Sequence, residues 1–168
     1  PFAGPCFDPA SPKQLVVGRI VDGVSNLYVL DTDTRELRSL TATAAQEETP
    51  HWAADGRIYY SADYDGVFNV YSVLPDGTDR RRHTSVVGGA FTPHVGPQGK
   101  LLFAAYAADG FSVVTTPSAG TPFELADTSA CALRPLPEPT GRVRITSTPY
   151  KARSLRPVWE GMTYIEAY

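Results

Sequence analysis

Only two of the 168 residues are cysteine, Cys6 and Cys131, and only one is methionine. Two cysteines allow at most one bridge. Their even number fits an oxidising compartment, and two buried free thiols fit it equally well. Long hydrophobic runs are missing too. The longest, Leu101 to Ala108, is far short of the ~20 residues that a spanning helix needs. Neither sign of charge dominates: the net charge is −3 and the pI about 5.6. That argues against a nucleic-acid partner held by bulk electrostatics. No leader is legible and the chain opens on Pro1, as expected of a mature or trimmed amino terminus or of a sequence read in part. Enzyme signatures are missing as well. There is no Gly-x-Ser-x-Gly elbow, no His-Glu-x-x-His pair and no phosphate-cradling glycine loop.

Fourteen glycines and fifteen prolines are present, with 42% hydrophobic and 20% charged residues. This is a globular, turn-rich composition. The densest signal lies between Thr49 and Thr84. Three Asp-Gly pairs, at 55–56, 65–66 and 76–77, punctuate runs rich in aromatic and β-branched residues. Asp-Gly tolerates positive φ and marks short hairpins. Four antiparallel strands follow, at roughly 49–53, 57–62, 68–74 and 79–84. One such sheet cannot bury both its faces and needs similar sheets stacked on it.

The chain supplies them at a spacing of 43 residues. Thr92-Pro93-His94 repeats Thr49-Pro50-His51, Leu101 repeats Ile58, Phe111 repeats Phe68 and Val113 repeats Val70. Going back, Leu15 falls under Ile58, Asn26-Leu27-Tyr28 under Asn69-Val70-Tyr71, and Thr41 under Thr84. Four strands every 40–45 residues is the pattern of β-propeller blades. The units divide at about 1–48, 49–91 and 92–133, with a half unit at 134–147 and an extension at 148–168 that breaks the pattern. The fold class is therefore all-β, with four-stranded antiparallel blades. Three and a half units leave the end sheets bare, so completion by a partner, another copy or further chain is expected; the alternative is that the tail from Pro149 to Tyr168 supplies the last strands and closes a small four-bladed ring.

The middle unit carries Pro50, Trp52, Asp55-Gly56-Arg57-Ile58, Ser61, Asp63, Asp65-Gly66, Asn69-Val70-Tyr71, Asp76-Gly77 and Thr84. This pattern resembles the TolB-type propeller repeat over about residues 7–147. It departs at Pro12-Lys13, at Gln98-Gly99 and at Thr115-Thr116. The resemblance implies periplasmic or cell-surface work and a protein or peptide bound at the mouth of the channel. It also tips the two cysteines towards a Cys6–Cys131 bridge. The extension, with Tyr150, Leu155, Pro157 and Trp159, is similar to the segment where such propellers join an outer-membrane barrel. An extended tail packed on the last sheet reads the same residues without that role.

Several residues are candidates for binding. His51 and His94 share one position in successive units beside the channel. Paired histidines can bind metal, but no carboxylate or cysteine is spaced to complete a site, so duplication of one packing niche is the simpler account. Asp63, Asp65, Asp76 and Asp79 are spaced like calcium ligands but lack the closing Glu, and read as turn formers. Arg80-Arg81-Arg82 would grip acidic groups or guard a sheet edge. Trp52, Ile58, Tyr60, Val70, Leu101, Phe103 and Val113 are the expected core. The sequence thus predicts a non-catalytic binding or scaffolding subunit of a larger envelope or membrane-associated assembly, with no cofactor and no metal. The alternative is the gating propeller of a serine hydrolase whose catalytic domain lies elsewhere.

Overall fold

A computed structural model describes residues 2–125. The half unit, the extension, Cys131 and Trp159 lie outside the described residues. Twelve strands form three antiparallel sheets. The first holds β1 (Phe2–Asp8), β2 (Ser11–Val21), β3 (Val24–Asp31) and β4 (Leu37–Ser39), paired in chain order. The second holds β5 (Glu47–Trp52), β6 (Ile58–Ala62), β7 (Asn69–Val73) and β8 (Arg81–Arg82). The third holds β9 (Ala90–Gly96), β10 (Lys100–Ala107) and β11 (Gly110–Pro117). All four expected strands of the middle unit are present.

The Asp-Gly pairs turn these hairpins in one way. The amides of Gly56, Gly66 and Gly77 each bond the carbonyl three residues back, on Ala53, Asp63 and Leu74, and each glycine has φ near 80–90°. Asp55 and Asp76 also accept the amide two residues on, so these two act as turn formers.

The middle sheet is sandwiched, and its composition follows. Every residue of β6 and β7 is buried. Trp52, Ile58, Tyr60, Tyr71 and Val73 pack with Val16, Leu27 and Val29 of the first sheet and with Leu40 just after it. On the opposite face Tyr59 and Val70 pack with Ala90, Leu101 and Phe103 of the third. Strands covered on both faces need apolar residues at consecutive positions, as in Ile58-Tyr59-Tyr60. Six of the seven expected core residues are therefore in place. Val113 is the exception, 77% exposed. It lies on β11, the last strand of the third sheet, where no described residue covers it.

The repeated Asn and Thr staple each blade to the chain that leaves it. Thr84 Oγ1 accepts the Val70 amide and donates to Asn69 Oδ1, which also accepts the Val86 amide. One unit earlier, Thr41 Oγ1 accepts the Leu27 amide and Asn26 Oδ1 accepts the Thr43 amide. The third unit has Ser112 at this place. There the structure departs from the repeat. Gly120-Thr121, matched to Gly77-Thr78 in the sequence, does not lead into a fourth strand of the third sheet. Instead β12 (Thr121–Pro122) pairs with β8 as a fifth strand of the second. Phe123 follows it and stacks on Tyr64, 5.8 Å between centroids. That apolar seat, plus the Phe123 amide on the Arg80 carbonyl, holds the segment there.

Candidate functional site

The innermost strands β1, β5 and β9 share a kink. Each contains a residue with positive φ followed by proline: Gly4 (59°) before Pro5, Thr49 (50°) before Pro50, and Thr92 (49°) before Pro93. The pairing register slips at the same places. These are β-bulges, which re-aim the side chain that follows. Positive φ is costly for a β-branched threonine, by about 1–3 kcal/mol, and Thr49 and Thr92 both bear it.

The next residue in each strand is Cys6, His51 or His94. Across the hairpins these three oppose Val16, Tyr59 and Leu102, which stand 43 residues apart. They therefore occupy one structural position in three successive sheets. The Cys6 thiol lies 3.8 Å from His51 Nδ1 and accepts the Trp52 amide at 3.3 Å. The His51 and His94 rings stack at 4.0 Å, tilted by 35°. Cys6 and His51 are half-buried and His94 is exposed. Burial pushes the His51 imidazole below its usual range, and the neighbouring His94 adds to this. His51 Nε2 is buried with no hydrogen-bond partner.

The sequence reading paired the two histidines without Cys6, and the structure sets Cys6 beside them. Cys6 precedes His51 by 45 residues and not 43, because the first hairpin is two residues longer. The legible signal was the tripeptide, Gly-Pro-Cys against Thr-Pro-His. Among the described residues Cys6 has no disulfide partner. Its expected bridge partner, Cys131, lies outside the described residues.

The three arginines are spent within the fold. Arg80 donates to the Tyr60 hydroxyl and lies over the Tyr64 ring. Arg81 pairs with Asp79, and Arg82 with Asp65 and the Tyr71 ring. Arg82 is half-buried at a strand now capped by β12, so the triplet does not stand at a free edge.

Two polar groupings escaped the sequence reading. The buried Glu47 accepts from Thr41, Thr43 and Tyr64. Desolvation raises its pKa against those donors. Its counterparts in the neighbouring sheets are Phe2 and Ala90, so periodicity could not reveal it. The second grouping is a serine–histidine pair, Ser72 Oγ to His83 Nε2 at 2.8 Å. Ser72 is fully buried and accepts from Arg57 Nε, and burial together with the Arg57 charge pushes His83 down to about 4. A base that weak, beside an inaccessible hydroxyl, lacks what nucleophilic catalysis needs. The pair locks β7 to the chain after β8.

Among the described residues no helix is long and apolar enough to cross a membrane. No family model and no curated protein matches the chain. Solved structures do. A TolB-assigned protein of Agrobacterium tumefaciens is 27% identical, with a TM-score of 0.61 over 68% of this chain. TolB of Acinetobacter baumannii is 16% identical, with a TM-score of 0.58 over 73%. The hydrazine synthase of Kuenenia stuttgartiensis is 13% identical, with a TM-score of 0.58 over 72%, a likeness of fold. The chain spans 44%, 33% and 25% of those chains respectively.

Proposed function

We propose that this chain, built of TolB-like propeller repeats, is a non-catalytic protein-binding or scaffolding module. It works outside the cytoplasm, in a larger envelope or membrane-associated assembly. The observation that carries the reading is the match to the Agrobacterium tumefaciens TolB-assigned structure, 27% identical over 68% of this chain. The arrangement of polar groups supports it. Glu47, Ser72, His83 and the three arginines all serve packing within and between blades. Apolar side chains, by contrast, stand uncovered on both outer sheets, among them Phe2, Phe7, Phe111 and Val113. Such patches are characteristic of interaction surfaces.

Cell fractionation of the full gene product in its native host, with cross-linking in place, tests this. Recovery in the periplasmic or envelope fraction, cross-linked to a defined protein, is expected. Treatment with a fluorophosphonate probe should leave the protein unlabelled. Labelling that tracks a hydrolase activity, or recovery only in the cytoplasm, would overturn the reading.

A further inference from the structure

Cys6, His51 and His94 bring three soft donors, one per sheet, to one repeated position on adjacent inner strands. In a tetrahedral zinc site, metal–sulfur bonds of ~2.3 Å and metal–nitrogen bonds of ~2.0–2.1 Å place sulfur and nitrogen ~3.5 Å apart. The Cys6 Sγ to His51 Nδ1 distance is 3.8 Å, within a small adjustment of that edge. His94 is exposed, so its ring turns without repacking the core. Among the described residues no three such groups already converge on a point; the His94 ring lies against His51 at 4.0 Å between centroids, and joining the other two donors requires it to turn.

We propose that Cys6, His51 and His94 form a three-donor site for a thiophilic d10 cation of the zinc type. On binding, the Cys6 thiol loses its proton to solvent and a sulfur–metal bond forms, while the two neutral imidazoles each give a ring nitrogen lone pair. Three protein donors leave a fourth position for water or for a side chain of a bound partner. The site rests on the strand geometry and does not depend on the scaffolding reading. The chemistry selects sulfur-loving ions over calcium or magnesium, which take oxygen ligands.

The test uses the full 168-residue chain, reduced and freed of metal. Zinc stoichiometry is read by native mass spectrometry, and cobalt(II) replaces zinc as a spectroscopic probe. One equivalent of zinc is expected, together with a thiolate-to-cobalt charge-transfer band. Cys6→Ser should abolish the band. His94→Gln, at an exposed position that folding does not need, should weaken zinc binding by about tenfold or more. Failure to hold zinc, a band that survives Cys6→Ser, or unchanged affinity in His94→Gln would each overturn the site. Should Cys6→Ser fail to fold, His94→Gln still decides.

Discussion

His83 has no repeat partner and belongs to no motif, yet its surroundings perturb its chemistry strongly. Its surroundings hold it neutral, with a value of about 4 against an ordinary 6.5. The unfolded chain therefore binds the extra proton, and the stabilisation is complete above about pH 6.5. It is lost as the pH falls from there towards about 4. The expected loss is about 1–2 kcal/mol, discounted from the full shift because the ring is only partly shielded from water. Urea titrations at stepped pH should show it, and His83→Gln should remove most of the slope. His51, depressed in the same direction, adds to the slope, and Glu47, raised by desolvation, opposes it. An unchanged slope in His83→Gln would place the pH sensitivity elsewhere. At this scale the sequence was least informative. His83 meets Ser72 only because the β7–β8 register sets Ser72 beside Arg81. Cys6 escapes the 43-residue period and still meets His51 because the first hairpin is two residues longer than the second.

The elements were far more legible. Asp-Gly turns and doubly apolar runs specify β6 and β7 because the turns need αL glycines and the sandwiched strands need two dry faces. Asn26, Asn69, Thr41 and Thr84 were visible as repeats, but their role as staples needed coordinates. Asn69→Ala leaves the Thr84 hydroxyl and the Val86 amide without their acceptor, and a loss of about 2 kcal/mol is expected in chemical denaturation. Asn26 is less buried, so Asn26→Ala should cost about half as much. Equal costs would mean that burial of the staple does not set its worth. Trp52 is buried between the first two sheets, and Trp52→Ala should cost about 3–5 kcal/mol. A cost below about 1 kcal/mol would show that this layer closes over the gap. The element that no pattern announced is β12. Its placement follows from Phe123 finding Tyr64 and Tyr71, a contact between residues more than fifty apart.

At the scale of the molecule, the repeat explains which surfaces remain adhesive. The second sheet is covered on both faces, whereas the first and third each lack one cover among the described residues. Val70 is buried under the third sheet, and its repeat partner Val113 has the same apolar side chain with nothing over it. Phe111 stands beside it, 70% exposed, and Tyr106 is 48% exposed. On the first sheet Phe2, Phe7, Ile20 and Val21 are exposed. The two surfaces are of opposite kind, since each repeats a face that is buried against the other kind inside the stack. Contacts of that sort run head to tail and grow with concentration, closing into rings or extending as filaments. The purified chain is therefore expected to associate at micromolar concentration, visible as a concentration-dependent mass in sedimentation or native mass spectrometry. The double variant Phe111→Asp with Val113→Lys changes only exposed positions, where stability shifts stay within about 0.5 kcal/mol. It should return the chain to monomer without lowering its melting temperature. A wild-type chain that stays monomeric and unfolds in one sharp transition would mean that these faces are satisfied within a single molecule.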